Sequence, residues 1–191
     1  MARRLISAHR KLRGAPRRLR ALRRWAESFR GWFPQQADLD PADRYWHIKI
    51  PVDRNLVEGR WATEEIRRDC VASLLTAAGH LAGAKPAWAQ SYRVTAALMV
   101  PSLFSSELCI YLDEAYFREH TSLAGPGRSP ANRSITDDLS LKLPRGFGEI
   151  GFVETQQWDE GETVVEELWW LGEVGPTPNN SSKPTPLRGA A

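Results

Sequence analysis

The sequence predicts an α+β fold: a mainly antiparallel sheet of about five to six strands, one long helix packed on a face, and an N-terminal basic amphipathic helix. Three observations predict it. Short segments of alternating apolar residues recur from Tyr45 onward, one stretch from Ile66 to Leu81 keeps helical spacing, and ten Arg and one Lys fall within residues 1–30 against a single acid, Glu27. The strands outnumber the helices and cluster toward the end, which favours antiparallel pairing over βαβ crossovers. The 191 residues leave room for one sizeable core. The expected division is a basic helical arm over 1–33, a single α+β domain over 34–174, and a disordered tail over 175–191, where Pro, Asn, Ser and Gly dominate.

In the arm, Pro16 suits a helix N-terminus, and Leu19, Leu22, Ala26, Phe29 and Phe33 follow at spacings of three and four. Arg17, Arg18, Arg20, Arg23, Arg24 and Trp25 surround this stripe. Such a helix can lie on an acidic partner, on nucleic acid, on a membrane surface, or on the chain's own body, and docking on the body with solvated arginines is the simplest of the four. The preceding piece, Arg3 to Arg13, is expected to be a frayed helix or unstructured. The formal charge of +3 hides an asymmetry, because the arm carries +10 while the remaining 15 basic and 22 acidic side chains give −7.

From Tyr45 to Pro51 the chain alternates, with Trp46, Ile48 and Ile50 on one side and Tyr45, His47 and Lys49 on the other, as in a half-buried strand. Thr63 then offers an N-cap, and Glu64 and Glu65 suit the positive end of a helix dipole. The helix that follows buries Ile66, Cys70, Leu74, Ala77 and Leu81, widened by Val71, Leu75 and Ala78, and stops near Gly79 to Lys85. Tyr92 to Val100 is apolar on both alternating sets, which predicts a central strand. Leu108, Ile110 and Leu112 form its hairpin partner. A short helix is expected over Asp113 to His120, and a mobile loop over Thr121 to Ser134. Three more strands are expected at Leu139, Leu141 and Leu143, at Ile150 to Val153, and at Val164 to Leu171, the last two joined across Asp159, Glu160 and Gly161.

Catalytic signatures are sparse. His9, His47, His80 and His120 stand apart, and no metal-ligand spacing, GxxxxGK or GxSxG occurs, so neither a metal nor a cofactor is expected. Cys70 and Cys109 lie within apolar patterns and are expected as buried free thiols. No run reaches the ~18 apolar residues of a membrane span. No apolar segment follows Arg3 and Arg4 as a signal sequence requires, so a cytoplasmic location is expected.

Two constellations remain. Tyr45, His47 and Arg93 would share a face if their strands were neighbours, a composition suited to anion binding or acid–base work, although a strand His is more often simply half-exposed. Trp158, Asp159, Glu160, Glu166 and Trp170 belong to an acidic, Trp-bearing hairpin that could capture a basic protein, although such acids are commonly the wet face of an edge hairpin.

At Tyr45-Trp46-His47-x-Lys49-x-Pro51, at Arg67 with Cys70, and at Glu167-Leu168-Trp169-x-x-Gly172-Glu173, the chain resembles an uncharacterised bacterial domain-of-unknown-function family. The resemblance covers roughly Trp25 to Val174 and implies one domain without implying an activity. Three functions therefore stand open. The first expectation is a small binding protein of immunity type that neutralises a basic partner through the acidic face. The alternatives are nucleic-acid or anionic-surface binding through the arginine-rich helix, and an enzyme built on His47, Arg93 and Tyr45, which the missing motifs disfavour. The sequence leaves the oligomeric state open.

Overall fold

Thr63 starts the longest helix as its side chain accepts the Ile66 N–H, and Glu64 and Glu65 occupy the first turn. In the computed structural model, which describes residues 14–39, 45–57, 63–100, 103–112, 128–157 and 163–174, this helix is α3 (Glu64–Gly83). It follows α1 (Ala15–Glu27) and the single turn α2 (Arg54–Val57), and precedes a second single turn, α4 (Ile135–Asp138). The strands are β1 (Tyr45–Lys49), β2 (Arg93–Val100), β3 (Glu107–Tyr111), β4 (Arg128–Pro130), β5 (Phe147–Gln157) and β6 (Thr163–Glu173). They form one sheet in the order β1-β3-β2-β6-β5-β4, and every pairing is antiparallel. The fold is α+β.

The registers fix two sheet faces, because residues directly opposite one another point the same way and alternate along each strand. Trp46, Ile48, Leu108, Ile110, Val94, Ala96, Leu98, Trp169 and Leu171 share the face that joins the core beneath α3. Cys70, Val71, Leu74, Leu75, Ala77, Ala78 and Leu81 of α3 are buried against it, and Ile66 is half-buried. The other face carries a smaller buried cluster of Ala97, Cys109, Tyr111 and Trp170. Strand β2 is consequently buried from Val94 to Leu98 without a break, as its doubly apolar sequence requires.

Trp169 occupies the middle of the core at 2% exposure, and its indole N–H donates to Glu167 at 3.2 Å. Its ring needs Gly151 opposite it, since a Cβ there would run into the six-membered ring. Helix α1 packs beside α3: Leu22, Ala26 and Phe29 are buried in the same core, with Leu19, Trp25 and Phe33 half-buried at its margin. Ring contacts then run Trp25–Phe29–Trp32–Trp46 at centroid distances of 5.1, 5.7 and 5.9 Å and tie the end of α1 to β1.

Three expectations are corrected. Leu139, Leu141 and Leu143 do not form a strand: Ser134 caps α4 by accepting the Asp137 N–H, and residues 141–144 run irregularly beside α3. A sixth strand, β4, lies instead within the segment read as a loop, where its backbone pairs with β5. The turn α2 had no counterpart in the sequence reading. The short helix expected over Asp113 to His120, the piece from Arg3 to Arg13 and the tail over 175–191 lie outside the described residues.

Gly151→Ala is expected to lower stability by about 1–3 kcal/mol, the usual cost of overpacking a filled core, read as a drop in urea midpoint at constant m. Gly83→Ala, where an added Cβ meets nothing, is the control and is expected to leave stability equal or slightly raised. Equal effects at the two positions would contradict the packing of Trp169.

Candidate functional site

The arginines of α1 divide into two sets. Arg18 reaches Asp53 at 2.7 Å and Arg23 pairs with Asp69 of α3, so both cross to the body. Arg17, Arg20 and Arg24 are exposed on the outward side and have no hydrogen-bond or ion-pair partner among the described residues. Their spacing of three and four residues stacks them one turn apart, over roughly 10 Å of helix axis. Trp25 is not displayed with them, because its ring is half-buried and edge-on to Phe29. At the end of the helix Glu27 accepts from Arg30 and lies 3.5 Å from His80, and the Arg30 hydrogen bond holds its carboxyl below the ordinary value.

Tyr45, His47 and Arg93 are related through β3, which lies between their strands. Tyr45 and Arg93 both stand opposite Tyr111, and His47 stands opposite Cys109. Two strand spacings, roughly 9–10 Å, separate β1 from β2, so the pairing itself brings no His47–Arg93 contact. Arg93 instead borders a cleft with Lys85, Arg145 and Glu173. There Glu173 bonds the Lys85 ammonium at 2.9 Å and accepts the Val94 N–H at 3.1 Å, which locks the end of β6 to the start of β2.

Of the acidic hairpin, Trp158, Asp159 and Glu160 lie outside the described residues, and Glu166 stands opposite Glu154 in the register. Trp170 is 5% exposed, packed with Ala97, Cys109 and Tyr111, so it presents no ring to a partner. Its place beside Ala97 on the sheet face opposite α3 follows from the β2–β6 register, which the sequence alone leaves undetermined.

A third group escaped the sequence reading. Arg133 donates to both oxygens of Glu167 at 2.9 and 3.1 Å and pairs with Asp138 at 2.7 Å. The Glu167 hydrogen bond holds its pKa above the ordinary arginine value. Beside it, Arg67 of α3 borders a cleft of about 330 Å³. Its spacing from Glu64 and Val71 on one helical face was the available signal. Among the described residues no three His, Cys, Asp or Glu side chains are grouped to hold a metal ion, and no helix is long and apolar enough to cross a membrane.

With this geometry in view, the family model described as "Protein of unknown function (DUF3916)" matches residues 23–173. The chain belongs to that family. The matched region contains the sheet, α3 and the cleft at Arg67, and begins inside α1, so Arg17 and Arg20 precede it. No curated protein and no solved structure matches the chain.

Neither cysteine is in a disulfide and both are buried, Cys70 on the core-facing side of α3 and Cys109 in the cluster on the opposite sheet face. Burial, and secondarily Asp69, pushes the Cys70 thiol up to about 12. Because the folded state holds this proton more tightly, Cys70 contributes no penalty below its unfolded value and destabilises the fold as pH rises above about 9. At pH 8 a thiol-specific alkylating reagent is expected to modify neither cysteine in the native protein and both in denaturant, counted by intact mass. Rapid native modification would contradict the placement of α3 or β3.

Proposed function

We propose that this protein binds the phosphate backbone of nucleic acid through the outward face of α1. The observation that carries the reading is the stripe of Arg17, Arg20 and Arg24, exposed and without a partner among the described residues while Arg18 and Arg23 face the body. The stripe works against the helix that bears it. Like charges three and four residues apart repel, and Arg17 and Arg18 sit near the positive end of the helix dipole, with no acid in the first turn. A helix kept for docking alone gains nothing from that arrangement, whereas a polyanion relieves the repulsion.

A membrane surface is the weaker reading. Interfacial helices insert their apolar face, and here Leu22, Ala26 and Phe29 are already buried in the protein core. Capture of a basic protein by the acidic hairpin draws no support from the described residues, since Trp170 is buried. Because Arg17 and Arg20 precede the region matched by the family, the proposal concerns this chain and not the family as a whole.

The test is fluorescence anisotropy with a labelled DNA duplex and a labelled single-stranded RNA across a salt series. Three phosphate contacts give a slope in log affinity against log salt of about −2.7 on duplex, or roughly 40-fold weaker binding between 50 and 200 mM. Arg17→Gln/Arg20→Gln/Arg24→Gln is expected to remove that component and leave thermal stability equal or higher. The matched change Arg18→Gln/Arg23→Gln is expected to retain most of it. Binding unaltered in the triple variant would overturn the proposal. So would triple-variant-sensitive binding to phosphatidylserine vesicles with none to either nucleic acid.

A further inference from the structure

The cleft beside the first turns of α3 combines a guanidinium without a partner among the described residues and a wall of apolar side chains. Arg67 enters it from α3, and its Nε is sealed from solvent without a hydrogen-bond partner, nor has the side chain any ion pair among the described residues. The second guanidinium at the cleft, Arg133, is already committed to Asp138 and Glu167. Glu64 sits at the rim, exposed in the first turn of α3, where the helix dipole favours its charge. Of the two guanidinium groups at the cleft, Arg67 is therefore the one without an ion pair among the described residues. Val71 of α3, Val100 of β2, Leu103 and Ile135 supply the apolar wall.

A buried guanidinium N–H is costly when unsatisfied, and a planar fork of donors matches a carboxylate in two parallel hydrogen bonds. An inorganic anion would satisfy the donors and leave the wall unused. At about 330 Å³ the cleft stands at the small end of ligand sites, which span roughly 300–1,000 Å³, so it suits a compact molecule. We infer that this cleft binds a small organic carboxylate with an apolar body, the carboxylate on Arg67 and the body against Val71, Val100, Leu103 and Ile135. The site is separate from the arginine stripe of α1 and does not depend on it. It lies wholly within the region that the family shares.

Hexanoate serves as the probe, titrated into the full chain and followed by methyl NMR, with hexanol, acetate and inorganic phosphate as comparisons. Hexanoate is expected to shift the Val71, Val100, Leu103 and Ile135 methyls saturably, acetate to bind more weakly because it lacks the body, and hexanol to leave them unmoved because it lacks the charge. Arg67→Met keeps the apolar stem and removes the fork, and is expected to weaken hexanoate about tenfold or more, the loss of a charge-assisted hydrogen bond. The wild-type comparison of hexanoate with hexanol needs no variant, so it stands even if Arg67→Met does not fold. Absence of saturable shifts, equal binding by hexanol, or undiminished affinity in a folded Arg67→Met would each overturn the inference. Phosphate displacing hexanoate while acetate binds as tightly as hexanoate would overturn the apolar half of it.

Discussion

The docking of the α1 apolar stripe into the core beside α3 is the constraint on which the proposed binding surface depends. Leu22 and Phe29 are nearly as buried as the residues of α3 itself, and fully burying side chains of that size contributes about 1.5–3 kcal/mol each. The two ion pairs that accompany the contact, Arg18–Asp53 and Arg23–Asp69, are largely exposed and add at most about 1 kcal/mol apiece. Apolar burial therefore sets the rotation of the helix about its axis. Once that rotation is set, the 3.6-residue period decides which arginines meet the acidic body and which face solvent.

Beneath this layer the sheet imposes a second selection. Trp169 and Trp170 are neighbours in sequence and point to opposite faces, so one completes the core under α3 and the other joins Cys109 and Tyr111 behind it. Gly151 and Gly172 mark where the sheet has no space for a side chain, the first against the Trp169 ring and the second against Thr95. The carboxylates in the middle and at the end of β6 have structural work of their own. Glu167 receives Arg133 and the Trp169 indole, and Glu173 receives Lys85 and the Val94 N–H. Arg67 stands apart from these pairs, and that separates the α3 cleft from the surrounding ion-pair network.

Much of this was legible in the sequence wherever one local rule acted alone. Thr63 followed by two Glu marked the start of α3, the doubly apolar run from Tyr92 marked a central strand, and the spacing of Leu22, Ala26 and Phe29 marked the docked face of α1. The error at Leu139, Leu141 and Leu143 is instructive, because alternation reports one-sided burial and not strand pairing. Those leucines pack against the core from a capped turn and an irregular stretch, with Ser140 at positive φ breaking the extended path. Strand β4 was hidden because three residues among Gly, Pro and Ser carry no period, and its pairing is supplied by β5. The sites were less legible than the fold. Which arginines are unpaired, and whether a tryptophan is displayed, depend on tertiary placement that composition does not encode.

Amide hydrogen exchange over residues 18–27 of the full chain tests the central claim most directly. A helix of 13 residues is marginal in water by itself, and the clustered arginines weaken it further, so protection there must come from docking. Exchange in this segment slowed to near that of α3 is the predicted result. Exchange at the rate of an unstructured peptide, with α3 still protected, would contradict it, because α1 would then hold no fixed face from which to display Arg17, Arg20 and Arg24.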